Sequence, residues 1–271
     1  MKKMSSKLKK RLFDKYGKWV LVTGASSGIG KELTYRLAEA GLNIILVARN
    51  KDKLNTIKED LEDQFDVKTQ VIVCDLSRGN FDLIFAACQH KDVGLFVGSA
   101  GFGTSGHFIE NALPVASNMI EVNCKALMVL SHFFAQIFTN KKRGGMILLS
   151  SMVGFQGVPY SANYAATKAY VQSLAEGLYH ELKPLGVDVL AAAPGPVKSG
   201  FESRANMKMD RYLTPEQIGI PILKALGNQM TVLPGTLTKL LVYSLRTLPR
   251  WGKIRVLKMV MGGMTKHQRT N

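Results

Sequence analysis

Between Lys18 and Gly195, six short apolar runs alternate with longer amphipathic stretches, and few architectures accept that pattern. The runs are "WVLVTG", "NIILVAR", "TQVIVCD", "VGLFVGSAG", "GMILLSS" and "VDVLAAAPG". Each is apolar at nearly every position, so each needs cover on both faces, which a parallel sheet between two layers of helices provides. Every run ends in glycine, serine, aspartate, arginine or proline. Ligands of open α/β sheets bind beyond the carboxyl ends of the strands, so these small and polar residues mark where a site would form. The expected fold is α/β, a single three-layer α/β/α domain with a doubly wound parallel sheet.

At 271 residues and 46% hydrophobic, the chain is long enough to bury a large core in one domain. It carries no internal repeat. Cys74, Cys88 and Cys124 are odd in number, lack CxxC spacing and stand in apolar segments, which points to buried reduced thiols and away from a disulfide framework or a zinc site. The start, "MKKMSSKLKKRLFDKYGKW", is basic but lacks the apolar stretch and cleavage site of a secretory signal, so a cytoplasmic protein is expected. The net charge of +16 is concentrated at the two ends. Residues 1–18 hold eight Lys/Arg and one acid, residues 217–271 hold nine Lys/Arg and no acid, and residues 19–216 carry nineteen of each sign. The expected organisation is a neutral body, 18–235, between two basic appendages, 1–17 and 236–271.

The first strand leads into "TGASSGIGKELTYRLAEAG", with Gly24, Gly28 and Gly30 ahead of an amphipathic run. Glycines let backbone N–H groups approach a phosphate, and the helix N-terminus adds a partial positive charge, so the turn is a candidate pyrophosphate cradle of the Rossmann-like kind. Two mismatches argue against a P-loop, which needs glycine at Ala25 and Ser/Thr at Glu32. Where an acidic residue would bind a ribose 2′-hydroxyl at the end of the second strand, this chain has Ala48 and Arg49. Arginine offers a planar fork to a 2′-phosphate, which selects NADP over NAD; its other reading is a solvated strand-end side chain. Asp75, ending the third strand, either accepts from an adenine amino group or caps the helix that follows.

"SSMVGFQGVPYSANYAATK", residues 150–168, lies in a run without formal charge from Gly144 up to Lys168. It is too polar to cross a membrane, which leaves a protected pocket. Tyr164 and Lys168 are four apart and share a helix face. A free tyrosine titrates near ~10, and a nearby ammonium favours its phenolate. Lys168 is therefore expected to lower the Tyr164 pKa, and Ser151, at the end of the fifth strand, to hydrogen-bond a substrate oxygen.

Together these residues resemble the short-chain dehydrogenase/reductase family over residues 18 to about 200. "TGASSGIG" is similar to its TGxxxGxG cofactor turn, "YAATK" to its YxxxK, and Ser151 stands at the family's usual distance. The resemblance implies that Tyr164 exchanges the proton, that Ser151 orients the carbonyl, that Lys168 tunes Tyr164 and binds the nicotinamide ribose, and that Asn123 holds a water linking the lysine to solvent. It also implies cofactor contacts from Ser26, Ser27 and Ile29 beside the turn glycines, from Leu76 beside Asp75, and from Ala100 and Gly101. Pro194, Gly195, Val197 and Ser199 in "PGPVKSGF" are implied to meet the nicotinamide end, and Tyr164 and Lys168 its ribose. One departure stands out: "GSAG", residues 98–101, replaces the family's NNAG, so Ser99 lacks the amide that would brace the central sheet.

For substrate recognition, Phe102, Phe155 and Val158 are candidates for the pocket mouth and Phe201, Met207 and Met209 for a lid, which favours an apolar or lipid-like carbonyl compound; the alternative is that these side chains are ordinary core. The basic C-terminal stretch either closes over that pocket, packs in an oligomer, or lies in a membrane interface with Tyr243 and Trp251 at headgroup level and the basic N-terminus assisting. Nucleic acid is not expected, for want of a binding motif. Two functions compete: an NADPH-dependent carbonyl reductase, expected to be a homodimer or homotetramer, and a catalytically quiet NADP(H)-binding sensor or membrane-associated scaffold.

Overall fold

In the computed structural model, which describes residues 3–208 and 212–268, β1 (Trp19–Thr23), β2 (Asn43–Ala48), β3 (Thr69–Val73), β4 (Val93–Gly98), β5 (Gly144–Leu149), β6 (Val187–Ala192) and β7 (Thr231–Val232) form one sheet in the order β3-β2-β1-β4-β5-β6-β7. Every neighbouring pair is parallel. Six of the seven strands are the apolar runs expected from the sequence. The seventh is two residues long, too short for any hydrophobic period to announce it, and it forms because β6 offers it an edge. The order reverses direction between β1 and β4, which makes the gap above those two strands the switch point of the sheet.

The helices that matter for the site are α1 (Ser6–Tyr16), α2 (Gly28–Glu39), α3 (Lys51–Gln64), α4 (Asp82–Gln89), α5 (Leu113–Ile120), α6 (Leu127–Asn140), α7 (Ala162–Leu182), α8 (Phe201–Arg204), α9 (Pro215–Ala225), α10 (Thr236–Arg246) and α11 (Arg250–Met264). One face of the sheet is covered with Leu33, Leu37, Leu54, Leu61, Ile218 and Ile222 from α2, α3 and α9. The other is covered by α4, α6 and α7, where Phe96 stacks on Phe134 at 4.7 Å between ring centroids. The continuous helical stretch Leu113–Asn140 is, among the described residues, long and apolar enough to cross a membrane by length and composition. Here its Leu130, Phe134 and Phe138 are buried against the sheet.

The N-terminal segment departs from the appendage read from its charge. Leu8, Leu12 and Tyr16 recur at helical spacing and are buried in the main core, so α1 belongs to the folded body. Tyr16 reaches the start of the sheet, where its hydroxyl donates to Asp188 Oδ2 at 2.7 Å. A Cβ on Gly145 would meet the Tyr16 ring at 2.7 Å, so glycine at the head of β5 is what admits that ring. The three cysteines are free and buried.

Candidate active site

The β1–α2 turn closes against the end of β4. Gly24 has φ +67°, and a Cβ there would lie 2.9 Å from the Ala100 backbone; Gly28 has φ +57°, and a Cβ there would lie 2.8 Å from the Ser199 side chain. Both positions need glycine for conformation and for space. Gly30 is different. A Cβ there would run into the Gly24 carbonyl, so Gly30 lets α2 pack closely on the turn and does not itself border the cavity. Ser27, at the head of α2, caps none of that helix's N–H groups with its side chain, leaving its hydroxyl and the helix N-terminus facing the cavity.

That cavity, of about 490 Å³, runs over the switch point. Its walls include Gly24, Ser26, Ser27, Gly28 and Ile29 on one side and Ala100 and Gly101 in the middle. Arg49, Asp75 and Leu76 flank one end; Ser151, Tyr164, Lys168, Pro194, Gly195, Val197 and Ser199 gather at the other. Arg49 is exposed, and Lys53 from the first turn of α3 borders the same end. Lys53 was not among the expected residues, although "RNKDK" after the second strand carried a signal in its two further cations. Asp75 caps the short helix that follows, accepting from Ser77 N at 3.1 Å and Ser77 Oγ at 2.8 Å, and it also borders the cavity. The Ser77 hydroxyl bond is the largest of the effects that hold its carboxyl below the ordinary range.

Ser99 leaves no gap in the sheet. Thr23 Oγ1 accepts from Ser99 N at 3.2 Å and Ala100 N at 3.3 Å, and lies 3.3 Å from Val97 O as donor. The buried hydroxyl at the end of β1 thus ties β1 to the turn after β4, the bracing expected to be lost with the missing amide.

Tyr164 and Lys168 lie on one side of α7, with Lys168 Nζ 5.8 Å from the centre of the Tyr164 ring. The ammonium donates to Leu149 O, the last carbonyl of β5, at 2.7 Å. Ser150 Oγ donates to the Lys168 carbonyl at 3.0 Å, so α7 and the end of β5 are bound to each other at the site. Burial pulls the Lys168 pKa down to about 8. Burial also pushes the Tyr164 hydroxyl well above its ordinary value, and the hydrogen bond with Ser151 offsets only part of that. This runs against the expected acidification of Tyr164: in the protein alone, removal from water outweighs the hydrogen bond with Ser151. The phenol is therefore held protonated.

Asn123 stands behind the site and does not border the cavity. It is buried in a widened turn, Glu121–Ala126, that joins α5 to α6. Its Nδ2 donates to Phe102 O at 2.8 Å and to Thr167 Oγ1 at 3.0 Å, while Oδ1 accepts from Phe102 N at 3.1 Å. One side chain thus fastens the loop after β4 to the helix that carries Tyr164. Gly103, in the same loop and absent from the sequence reading, lets the backbone pass the Tyr164 ring; a Cβ there would lie 2.8 Å from it. The clue available was its place in "GFGTSG", where three glycines break up the loop.

The apolar end of the cavity is closed by α8, α10 and α11. Phe201 sits 5.0 Å from Tyr164 between ring centroids, and Met207, Leu241, Leu257, Val260 and Met261 continue the wall. Phe102 borders the cavity as expected, but Phe155 and Val158 do not: they pack in the small clusters beneath α10 and α11. Met209, expected in the lid, lies outside the described residues. Thr238 of α10 anchors this cover, accepting from Gly195 N at 3.2 Å. Among the described residues no cluster of His, Cys, Asp or Glu is suited to a metal ion.

Residues 18–210 match the family model described as short chain dehydrogenase. The 7beta-hydroxysteroid dehydrogenase of Collinsella aerofaciens is 30% identical over 84% of this chain and 90% of its own length. A solved 7beta-hydroxysteroid dehydrogenase superposes with a TM-score of 0.84 at 28% identity, covering 91% of this chain and 98% of that one. A short-chain dehydrogenase from Sphingobium yanoikuyae, solved in complex with NADPH, gives a TM-score of 0.76 at 27% identity over 85% of this chain and 92% of its own. With the glycine turn, the parallel sheet and the Tyr164–Lys168 pair in place, the chain belongs to the short-chain dehydrogenase family.

Proposed function

We propose that this protein is an NADPH-dependent oxidoreductase that interconverts a bulky apolar ketone and its secondary alcohol. The observation that carries the reading is the convergence of Ser151, Tyr164 and Lys168 on one end of a cavity that has a glycine-lined helix N-terminus along one side. The cavity fits the cofactor. Gly24 and Gly28 leave the backbone bare, Ser27 is uncommitted within its own helix, and Arg49 with Lys53 supplies two cations where a 2′-phosphate would lie. Bound there, the dinucleotide supplies the hydride.

The chain's own residues do the rest. Ser151 and Tyr164 hydrogen-bond the substrate oxygen and so orient the carbonyl. Tyr164, held as the neutral phenol, gives its proton to that oxygen as negative charge develops on it. Lys168, with a pKa near 8, is protonated at neutral pH and stabilises the phenolate left behind. Asn123 and Gly103 position the loop against Tyr164, and α8, α10 and α11 exclude water from the reacting end. The Met and Leu side chains of the cover, together with the likeness to hydroxysteroid dehydrogenases, support a bulky alicyclic substrate. We also infer a cytoplasmic homo-oligomer, supported by Ile120, Met128 and Tyr170, large apolar side chains left exposed on α5, α6 and α7.

The test follows oxidation of NADPH with a panel of cyclic ketones. Tyr164→Phe should lose about 10²–10⁴-fold in kcat while NADPH binding is retained. An unchanged rate in that variant removes the proton donor. Tight NADPH binding with no turnover in the unaltered protein would favour the sensor or scaffold reading.

A further inference from the structure

We infer that the outer face of α10 and α11 is a docking surface for an anionic lipid bilayer, placed so that the mouth of the cavity opens toward the acyl chains. Each of the two helices turns one stripe inward and another outward. Thr238, Val242 and Leu245 of α10, and Leu257 and Met261 of α11, are buried. Opposite them, Leu240 is 67% exposed, Trp251 64% and Met259 78%, with Tyr243 about half exposed. Such a set of large apolar side chains in water is what a partner normally covers.

Charge identifies the partner. Seven Lys/Arg lie between Lys239 and Lys266, and residues 217–271 contain no Asp or Glu. None of these seven forms an ion pair among the described residues. Two instead lie over the aromatic rings of the same face: Arg246 over Tyr243 at 5.0 Å and Arg255 over Trp251 at 5.1 Å. A cation beside an aromatic ring on an amphipathic helix is suited to a headgroup layer, with the ring at the boundary and the charge on phosphate. A protein partner would have to bring acids enough for all seven cations and an apolar face besides; an anionic bilayer offers both.

The wall of the cavity reaches the same face. Leu241 and Val260 border the cavity and are themselves 36% and 47% exposed, so the cavity wall and the outer face meet at these two side chains. An apolar substrate dissolved in a membrane would reach Tyr164 without crossing water. This last step rests on the proposed reductase function; the docking does not.

The experiment floats the full-length protein with vesicles of phosphatidylcholine alone, or of phosphatidylcholine mixed with an equal share of phosphatidylglycerol. Binding is expected to the mixed vesicles only and should weaken with salt. Arg255→Gln with Lys258→Gln, two residues outside the cavity wall, should weaken it roughly twenty-five-fold, about fivefold for each cation removed. In a Trp19→Phe background, emission from Trp251 should shift to the blue with mixed vesicles and not with phosphatidylcholine. Equal flotation on both compositions, no flotation, or a double variant that binds like the parent would overturn the proposal. So would a self-associated form in the absence of lipid that Trp251→Ser dissolves, or equally tight binding to duplex DNA. Thermal melting checks that the variants fold. Turnover of a water-soluble ketone without vesicles, unchanged in the double variant, separates the two readings: its absence in the parent would sink the reductase assignment and leave the vesicle result standing.

Discussion

Helix α1 and the α10–α11 pair are both amphipathic and both strongly basic, and they sit at opposite ends of the strands. Helix α1 lies where β4, β5 and β6 begin, and its cations meet partners there. Lys15 pairs with Asp188, Lys9 with Glu39 at 2.9 Å, and Arg11 donates to Leu223 O at 2.7 Å. The α10–α11 pair lies where the strands end, beside Tyr164, and none of its Lys or Arg meets a carboxylate among the described residues. The difference teaches that a summed charge along a sequence does not say whether a surface is charged. Partners from distant segments decide that: Asp188 is more than 170 positions from Lys15 in the chain, yet the fold puts the two in contact. Lys9, Arg11 and Lys15 of α1 are held by the fold, whereas no Lys or Arg of α10 and α11 meets a carboxylate among the described residues.

The comparison breaks most sharply at one buried leucine from each region. Leu12→Ala should cost about 2–5 kcal/mol in urea unfolding, because Leu12 is fully buried in the main core, while kcat of the folded fraction stays unchanged. Leu257→Ala, in the small cluster under α11, should cost less than that and raise KM for apolar ketones. Equal losses of stability at the two sites would mean that the C-terminal helices are as much a part of the core as α1.

A smaller effect lies with Lys168. Its pKa in the folded, cofactor-free protein is lowered to about 8 from 10.5 by burial. The folded state therefore binds this proton less tightly than the unfolded chain, and the cost is fully present below pH 8 and relieved as pH rises toward 10.5. Measured by urea unfolding, the excess stability of Lys168→Met over the parent should shrink by up to about 3 kcal/mol across that window. A gap that does not change with pH would mean that Lys168 is not held in the environment described.

The smallest effect sharpens the contrast at acid pH. The Glu39 carboxylate accepts from Met4 N and pairs with Lys9; burial opposes its charge, but these partners prevail and hold its pKa below the usual value. The stability it contributes is present above the ordinary carboxylate pKa and is lost as pH falls below it. Hydrogen exchange should show α1 loosening by about 1 kcal/mol or less on acidification, while α10 and α11, which contain no Asp or Glu, keep their protection. Parallel loosening of both regions would point to global unfolding instead.

Much of the site was legible from one strand end to the next. The turn glycines, Ser151, Tyr164 and Lys168 are local patterns: each is tied to a strand terminus or to one helix face, and their spacing carries the resemblance to the family's motifs. The features that escaped notice are contacts between segments. Thr23 bracing the turn at Ser99, Gly103 passing the Tyr164 ring, and Thr238 fastening α10 to Gly195 each join residues that only the fold brings together. Lys53 escaped for a simpler reason, since one lysine in the first turn of a polar helix looks like any solvated cation.

Alternation of apolar runs by itself determined the parallel sheet and pointed to a site at its carboxyl end, because strand and helix periods and the residues that end them are local properties; the roles of the residues there came from the resemblance to a family. Tertiary structure alone decided which cations find partners, how far Tyr164 is removed from water, and which helices close the cavity. Those quantities depend on distance and burial among residues far apart in the chain, and no short window of sequence contains them.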